Sequence, residues 1–183
     1  MSLVVGLVLA VFGAASLAEA KLGPPGGPGK LHRDVVDSFW AMAHFPYSVA
    51  ISDSNNDTIF ECVAANRTEI DPVARTGTFV WLFPETEDSP KLEVPFYLTA
   101  DGPGTISFTI DDDPTVREGK FYYSDEQCVV LDMEFNGHQC LLWTLRKLKD
   151  SVPQVCIDQF KDACGVVVNQ HSRDLCPDGE GDY

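Results

Sequence analysis

Six cysteines are the residues with the clearest potential for chemistry in this sequence of 183 residues. Cysteines either bind a metal ion as thiolates or form disulfide bonds, and their spacing helps to distinguish the two. The closest pair, Cys156 and Cys164, is eight residues apart. There is no Cys-x-x-Cys pair, and no histidine lies at zinc-finger spacing from any pair. The pattern therefore predicts disulfide bonds and no metal site.

Motifs of the common enzyme classes are absent from the sequence. It contains no Gly-x-Ser-x-Gly elbow, no His-Glu-x-x-His zinc motif and no phosphate-binding loop. Its histidines, His32, His44, His138 and His171, are scattered along the chain and are interpreted as surface residues. We therefore expect no catalytic activity and no cofactor.

The chain is strongly acidic, with 28 Asp and Glu against 13 Lys and Arg and a formal net charge of -15. Nucleic acids and heparin are recognised through a basic surface, so neither is an expected partner. The hydrophobic share of 44% is ordinary for a globular protein and argues against a disordered chain. One packed domain is the expectation at this length.

The N-terminal segment predicts the compartment. Residues 2–18 form an apolar run that ends in Ala18-Glu19-Ala20, although no Lys or Arg precedes it. This pattern is typical of a secretory signal peptide, and the run is short for a bilayer span. We expect a signal peptide over residues 1–20, a secreted extracellular product with no membrane partner, and an oxidising environment for the cysteines.

Residues 21–30 and two short motifs agree with this interpretation. Residues 21–30 are so rich in Gly and Pro that they predict a flexible leader ahead of a folded domain over residues 31–183. Asn56-Asp-Thr58 and Asn66-Arg-Thr68 are sequons for N-glycosylation, which is a modification of exported proteins.

The period of the apolar residues changes along the folded domain. Residues 33–44 show helical spacing, and a second helix is predicted between Pro153 and Gly165. Between them, segments of alternating, β-branched or aromatic character are separated by turn residues. These segments are 47–52, 58–64, 77–83, 92–99, 105–110, 120–123, 128–135 and 140–146. The order predicts an all-β fold, an eight-stranded antiparallel barrel with one C-terminal α-helix packed outside.

Alternation within the strands predicts which side chains face the barrel interior. Phe79, Trp81 and Phe83 share one face of their strand, and Phe96 and Phe108 lie on the corresponding faces of two further strands. An eight-stranded barrel either fills its interior with side chains or holds one small ligand. Both possibilities stay open at this point.

The cysteines constrain how the helix attaches. Cys128 and Cys140 flank Asn136-Gly137, and a two-residue turn there would place Cys128 opposite Leu145 and Cys140 opposite Met133. The two cysteines would then be roughly 17 Å apart, which is too far for a bond. Bonds from Cys128 and Cys140 to the two cysteines of the predicted helix follow, which leaves the remaining two cysteines to bond with each other. Of the fifteen possible connectivities, the preferred one is Cys128–Cys156, Cys140–Cys164 and Cys62–Cys176.

The same segments carry a family resemblance. The runs Tyr123-Ser-Asp-Glu-Gln-Cys128-Val-Val, Cys140-Leu-Leu-Trp143-Thr and Val152-Pro-Gln-Val-Cys156-Ile-Asp-Gln-Phe160 resemble the tick salivary lipocalins of the histamine-binding-protein family. Phe60-Glu-Cys62-Val and Phe79-Val-Trp-Leu-Phe83 fit it too. The resemblance implies a lipocalin-type barrel stapled by disulfides, export in saliva and capture of small host mediators. It also implies the 62–176 and 128–156 bonds, and the joint presence of Cys140 and Cys164 supports the third.

The residues implied to bind amines are missing from this chain. Members of the family that hold histamine or serotonin carry acids at the places of Val129 and Leu141, and the family's lumenal aromatic and acid fall on Arg117 and Gly119. A buried ammonium without a counter-charge costs several kcal/mol. The resemblance therefore implies a barrel of this family that lacks the acidic residues used to bind amines.

Other acids are expected to face solvent. Asp132 and Glu134 share strand parity with Cys128, which must point out towards the helix, so the interior would see Val129, Leu131 and Met133. The remaining candidates are interpreted as surface residues. They are Asp53, Asp57, Glu93 and residues 111–113.

The predicted function is that of a secreted lipocalin that sequesters a small host inflammatory mediator and so counters host defence. A lipid is preferred, such as an eicosanoid, a fatty acid or a sterol, with Arg117 or a hydroxyl of Tyr122 or Tyr123 meeting its polar end. The predicted ligand contacts are Phe79, Trp81, Phe83, Phe96, Phe108, Arg117, Tyr123, Val129, Leu141 and Trp143. Two alternatives stay open: a biogenic amine as ligand, or a filled barrel that binds a host immune protein.

Overall fold

A computed structural model of the chain describes residues 31–53, 60, 62–85, 90–135 and 137–165. The predicted signal peptide, the predicted leader, Asn56, Cys176 and His171 lie outside the described residues. The domain boundaries predicted at residues 20 and 30 therefore stay predictions.

Eight antiparallel strands form a closed barrel in which each strand pairs with the next and the last pairs with the first. The predicted eight-stranded antiparallel barrel is confirmed. Closure leaves the sheet without a free edge. The strands are β1 Tyr47–Asp53, β2 Ala64–Asp71, β3 Thr76–Phe83, β4 Leu92–Gly102, β5 Thr105–Ile110, β6 Asp113–Ser124, β7 Cys128–Glu134 and β8 His138–Leu145.

Two α-helices flank the barrel, α1 over Ser38–His44 and α2 over Gln154–Cys164. The first begins later than residue 33 because the Asp37 carboxylate caps it, accepting hydrogen bonds from the backbone N–H groups of residues 39 and 40. The second ends at Gly165, whose φ of 68° is readily adopted by glycine. Neither helix, nor the 3-10 turn Arg146–Leu148, is long and apolar enough to span a bilayer.

Two strands differ most from their predicted bounds. The strand predicted over 58–64 begins at Ala64, because Cys62 has a φ of 63° and forms a turn that no extended strand can pass through. The strand predicted over 120–123 begins at Asp113. Its first residues are largely exposed on both sides, so they lack the apolar alternation by which a strand is recognised.

The turn between β7 and β8 is longer by one residue than predicted. Glu134 pairs with His138, so three residues form the loop. As a result Cys128 lies opposite Thr144 and Cys140 opposite Asp132, and the predicted partners Leu145 and Met133 are wrong by one position. A shift of one residue reverses the face of a side chain. In the observed register both cysteines point outwards.

The outer core lies between α2 and the barrel wall, and two disulfides cross it. Cys128 bonds to Cys156 and Cys140 bonds to Cys164, as predicted, so that β7 and β8 are each joined to α2. Phe160 of α2 is fully buried there beside outward side chains of the sheet. Cys62 belongs to the same core. Since Cys176 lies outside the described residues, the 62–176 bond stays a prediction.

The segment that contains α1 closes one end of the barrel. The Ser38 hydroxyl donates to the Gly102 carbonyl at 2.7 Å, and the Gly104 N–H donates to the Val36 carbonyl at 2.7 Å. The Arg67 guanidinium donates to the carbonyls of residues 42 and 43 at the end of the helix. These bonds hold Met42 against the inner core, where it forms part of the barrel floor.

Replacing Cys140 and Cys164 together by Ala should destabilise the protein. The bond joins residues 24 positions apart, and closing a loop of that size stabilises a fold by about 3 kcal/mol. Urea unfolding measures the difference in the free energy of unfolding. Val116→Ala, at a side chain 67% exposed, is the control and should change little. An equal midpoint for the double variant and the wild type would contradict the structural role of this bond.

Candidate ligand site in the barrel

The barrel interior contains most of the residues predicted to contact a ligand. Because opposed residues of neighbouring strands share a face, Phe79 and Phe96 meet across β3 and β4, and Val129 and Trp143 meet across β7 and β8. Apart from Arg117 and Tyr123, all of the predicted contacts belong to the inner core. These are Phe79, Trp81, Phe83, Phe96, Phe108, Val129, Leu141 and Trp143. Their contact with a ligand stays a prediction.

Aromatic rings fill the interior beyond the floor. Trp81 stacks on Phe96 with ring centroids 4.0 Å apart and lies 4.8 Å from Trp143. Phe60 meets Trp81 edge-on at 5.7 Å and Phe135 at 5.4 Å. The sequence analysis placed Phe60 and Phe135 in the predicted strands 58–64 and 128–135 and did not name either as an interior residue, whereas the structure has both in loops that reach the interior. These packed rings leave little open space at this level of the barrel.

A cavity of about 60 Å³ lies between this aromatic cluster and the floor. A water molecule takes about 30 Å³ of liquid volume, so the cavity is small. Met42 and Phe45 bound it from below, and sequence reasoning missed both because they belong to the closing segment and not to a strand. The remaining lining residues are Ala41, Ser48, Ala65, Phe79, Trp81, Leu98, Phe121, Val129, Leu131 and Trp143.

Trp143 contributes an unsatisfied polar group to this site. Its side chain lines the cavity and is only 5% exposed. Its indole Nε1–H is buried and has no hydrogen-bond partner among the described residues. Leaving a buried donor unpaired costs about 1–3 kcal/mol. The residues around the cavity are therefore mostly apolar, and besides Ser48 they include a buried indole donor with no acceptor in the described part of the chain.

Arg117, predicted to meet a carboxylate of the ligand, is already engaged. It lies opposite Phe108, towards the end of the barrel away from α1. Its Nη2 donates to Asp113 Oδ2 at 2.7 Å, and its Nη1 donates to the Thr115 carbonyl at 3.1 Å. The hydrogen bond from Arg117 holds the pKa of the Asp113 carboxyl well below its usual range. Arg117 therefore lies at the rim of the barrel and forms an ion pair with Asp113.

Gly119 marks the place where the resemblance implied an acid. It lies opposite Ile106, on the inner side of β6. A Cβ atom at this position would lie 3.0 Å from Ile106 Cγ1, which is closer than ordinary contact. Ile106 thus occupies the space that a side chain at position 119 would need.

Tyr123 lies on the outer side of the barrel, which corrects its prediction as a ligand contact. The register shifts between Phe121 and Tyr123, so that Phe121 faces the interior while Tyr123 packs against the outer core. The Tyr123 hydroxyl donates to Asp125 Oδ2 at 2.8 Å. Burial, and to a lesser degree this carboxylate, raises the pKa of Tyr123 to about 12. A bulge is invisible to strict alternation, and for this reason the prediction was wrong.

Asp132 lies on the outer wall, opposite Cys140, and is only 2% exposed. The Tyr122 hydroxyl donates to its Oδ2 at 3.2 Å, and His138 Nε2 lies 3.3 Å from its Oδ1. Burial raises the pKa of the Asp132 carboxyl, while His138 and the Tyr122 hydrogen bond act against this effect. Tyr122, the other predicted hydroxyl partner, is thus directed at this carboxylate and not at the interior.

Carboxylates are absent from the cavity lining among the described side chains. Asp53 is an acid at the end of β1, where its backbone pairs with that of Leu141. Its side chain lies outside the described part of the structure. The described wall therefore has a hydrogen-bond donor and no acid.

Asp132→Asn should stabilise the protein near neutral pH. Burial raises the folded-state pKa of Asp132 above the ordinary value of 3.8, so the folded protein favours the neutral carboxyl. The stability that this preference gives is fully present below about pH 3.8 and is lost as the pH rises through the folded-state pKa and the buried group becomes charged. The variant should thus exceed the wild type in free energy of unfolding at about pH 7, and the gap should close towards about pH 4. Urea unfolding across this range measures it, with exposed Glu134→Gln as control. A variant less stable than the wild type at neutral pH would contradict this assignment.

Comparison with known families supports the resemblance noted in the sequence. The profile of the tick histamine binding protein family matches residues 37–176, which include the whole barrel and α2. No curated protein matches the chain. The family match covers most of the chain. It agrees with the closed eight-stranded barrel and with the helix that a disulfide joins to the outer wall of the barrel. The chain belongs to the tick histamine-binding protein family and is a tick salivary ligand-binding lipocalin.

Proposed function

We propose that this lipocalin is secreted in saliva and sequesters a small lipid mediator of the host, in preference to a biogenic amine. The observation that carries the proposal is the unpaired indole N–H of Trp143 in an apolar cavity whose described lining has no carboxylate. A ligand suited to this wall has an apolar body and an oxygen that accepts a hydrogen bond. Eicosanoids, fatty acids and sterols share that chemistry.

The donor at Trp143 restricts which end of a ligand can lie beside it. The imidazole nitrogen of histamine or the hydroxyl of serotonin can accept from the indole N–H, but an ammonium group carries donors and no acceptor and cannot. It would also be buried without a counter-charge, which costs several kcal/mol. A carbonyl, carboxylate or hydroxyl oxygen would instead satisfy the Trp143 N–H and remove the cost of leaving it unpaired.

The size of the cavity implies that a lipid must displace side chains. About 60 Å³ accommodates only one end of such a molecule. Phe60 and Phe135 are not held in strands, and they lie over Trp81 and Phe96 in the upper interior. Loop residues move more readily than strand residues. Entry therefore proceeds past Phe60 and Phe135, with the end that carries the acceptor oxygen directed to the cavity beside Trp143.

The amine alternative is favoured by the strand position of Asp53. Its backbone pairs with that of Leu141, which faces the interior. The resemblance also placed a family acid at position 141. A carboxylate brought in by β1 would replace the one that β8 has lost.

The protein-binding alternative is favoured by the packing of the interior. The stacked rings of Trp81, Phe96 and Trp143 leave a cavity too small for a whole mediator. A barrel that stays filled would act through its outer surface on a host immune protein.

Calorimetry on the full secreted chain separates these functions. Titration with a leukotriene and a fatty acid should give saturable binding, while histamine and serotonin should give none at the same concentrations. Tight binding of histamine that is lost in Asp53→Asn would overturn the lipid preference and establish a biogenic amine as the ligand. The absence of heat from any small ligand would favour the protein-binding function.

Trp143→Phe should weaken binding of the preferred lipid by about tenfold, because one hydrogen bond of about 1.4 kcal/mol is lost while an aromatic ring is kept. Trp40→Phe is the matched control, since Trp40 lies on α1 and is 39% exposed. Fluorescence displacement and calorimetry measure the affinities, and urea unfolding without ligand checks the fold. Unchanged lipid affinity in Trp143→Phe would remove the support that this N–H gives to the proposal.

A further inference from the structure

The second sequon, Asn66-Arg67-Thr68, lies within β2. Asn66 pairs with Val80, whose side chain packs against the outer core, so Asn66 faces the outside of the barrel. It is partly exposed, and Thr68 is exposed. The Asn66 side-chain amide makes no hydrogen bond with the described part of the chain. In the described part of the chain, no hydrogen bond involves the Asn66 Nδ2 atom to which a glycan would be attached.

Tyr47 is the neighbour of Asn66 on the adjacent strand. It is the residue opposite Asn66 across β1 and β2, and opposed residues have Cβ atoms about 4.5–5.5 Å apart. Tyr47 is 56% exposed, so much of an aromatic side chain on the outer wall is open to solvent. The C–H face of a pyranose ring packs well against an aromatic ring, since both surfaces are apolar.

We propose that Asn66 carries an N-linked glycan whose first N-acetylglucosamine packs on the ring of Tyr47. In the modification, a bond forms between Asn66 Nδ2 and C1 of the sugar. The bond from C1 to the diphosphate of a lipid-linked oligosaccharide donor breaks, and Nδ2 loses one proton. The Thr68 hydroxyl completes the acceptor motif.

The sugar and the Tyr47 ring would each shield apolar surface of the other. The glycan thereby stabilises the β1–β2 ladder from outside, on a face separate from the ligand cavity, because Ala65 and not Asn66 contributes to the cavity lining. This role does not depend on which ligand the barrel holds.

Occupancy is tested on the full chain secreted from a eukaryotic host. Peptide mass spectrometry after enzymatic release of N-glycans in heavy-oxygen water should label Asn66 as aspartate in most molecules, and Thr68→Ala should abolish that label. Asn56, the other sequon, is the internal comparison within the same preparation. An unlabelled Asn66 beside a labelled Asn56 would overturn the proposal.

Packing on Tyr47 is tested by thermal unfolding of matched pairs. The wild type should melt about 2–4 °C above Asn66→Gln, which loses the glycan but keeps the Thr68 hydroxyl and its hydrogen bond to the Thr78 carbonyl, and this gap should vanish when both carry Tyr47→Ala. Tyr97→Ala is the control, since Tyr97 is 47% exposed on β4 and should leave the gap intact. A gap that survives Tyr47→Ala would refute the packing even where Asn66 is glycosylated.

Discussion

The pairing of β7 with β8 is the constraint on which the other features of this protein depend. With three residues in the connecting loop, Cys128 and Cys140 both face outwards and Val129, Leu141 and Trp143 face inwards. One residue fewer in the loop would turn Cys140 into the barrel and Leu141 out of it. The two disulfides to α2 are compatible with the observed register alone. The helix that covers the outer wall and the indole that lines the cavity are thus consequences of the same pairing.

The interior that results from this pairing is aromatic and has few polar groups. Trp81, Phe96 and Trp143 pack together at its centre, and the small cavity beneath them has a donor, the Trp143 N–H, without a partner among the described residues. Among the described side chains, charged groups on the same faces of the strands include Arg67, bonded to the end of α1, and Arg117 with Asp113 at the rim. A site of this chemistry differs from one built around carboxylates, although both use the same barrel.

The acidic side chains in the described part of the chain lie outside the cavity lining. Asp132 is buried, but on the outer wall, where Tyr122 and His138 face its two oxygens. Asp113 is half exposed and paired. A net charge of -15 therefore says little about the ligand, because the described side chains that line the cavity include no acid.

Local patterns were sufficient to predict the strand count and the aromatic inner faces of β3 to β5, because side-chain alternation depends on neighbouring residues. The two disulfides between the last hairpin and α2 were also predicted correctly, although the two-residue turn assumed there would have pointed Cys140 into the barrel. Three features depended on tertiary structure. The loop length set the register of β8, a bulge turned Tyr123 outwards, and the closing segment brought Met42 and Phe45 under the cavity. Alternation is counted along one strand, so it carries no information about bulges, loop residues or segments that reach the interior only when the barrel closes.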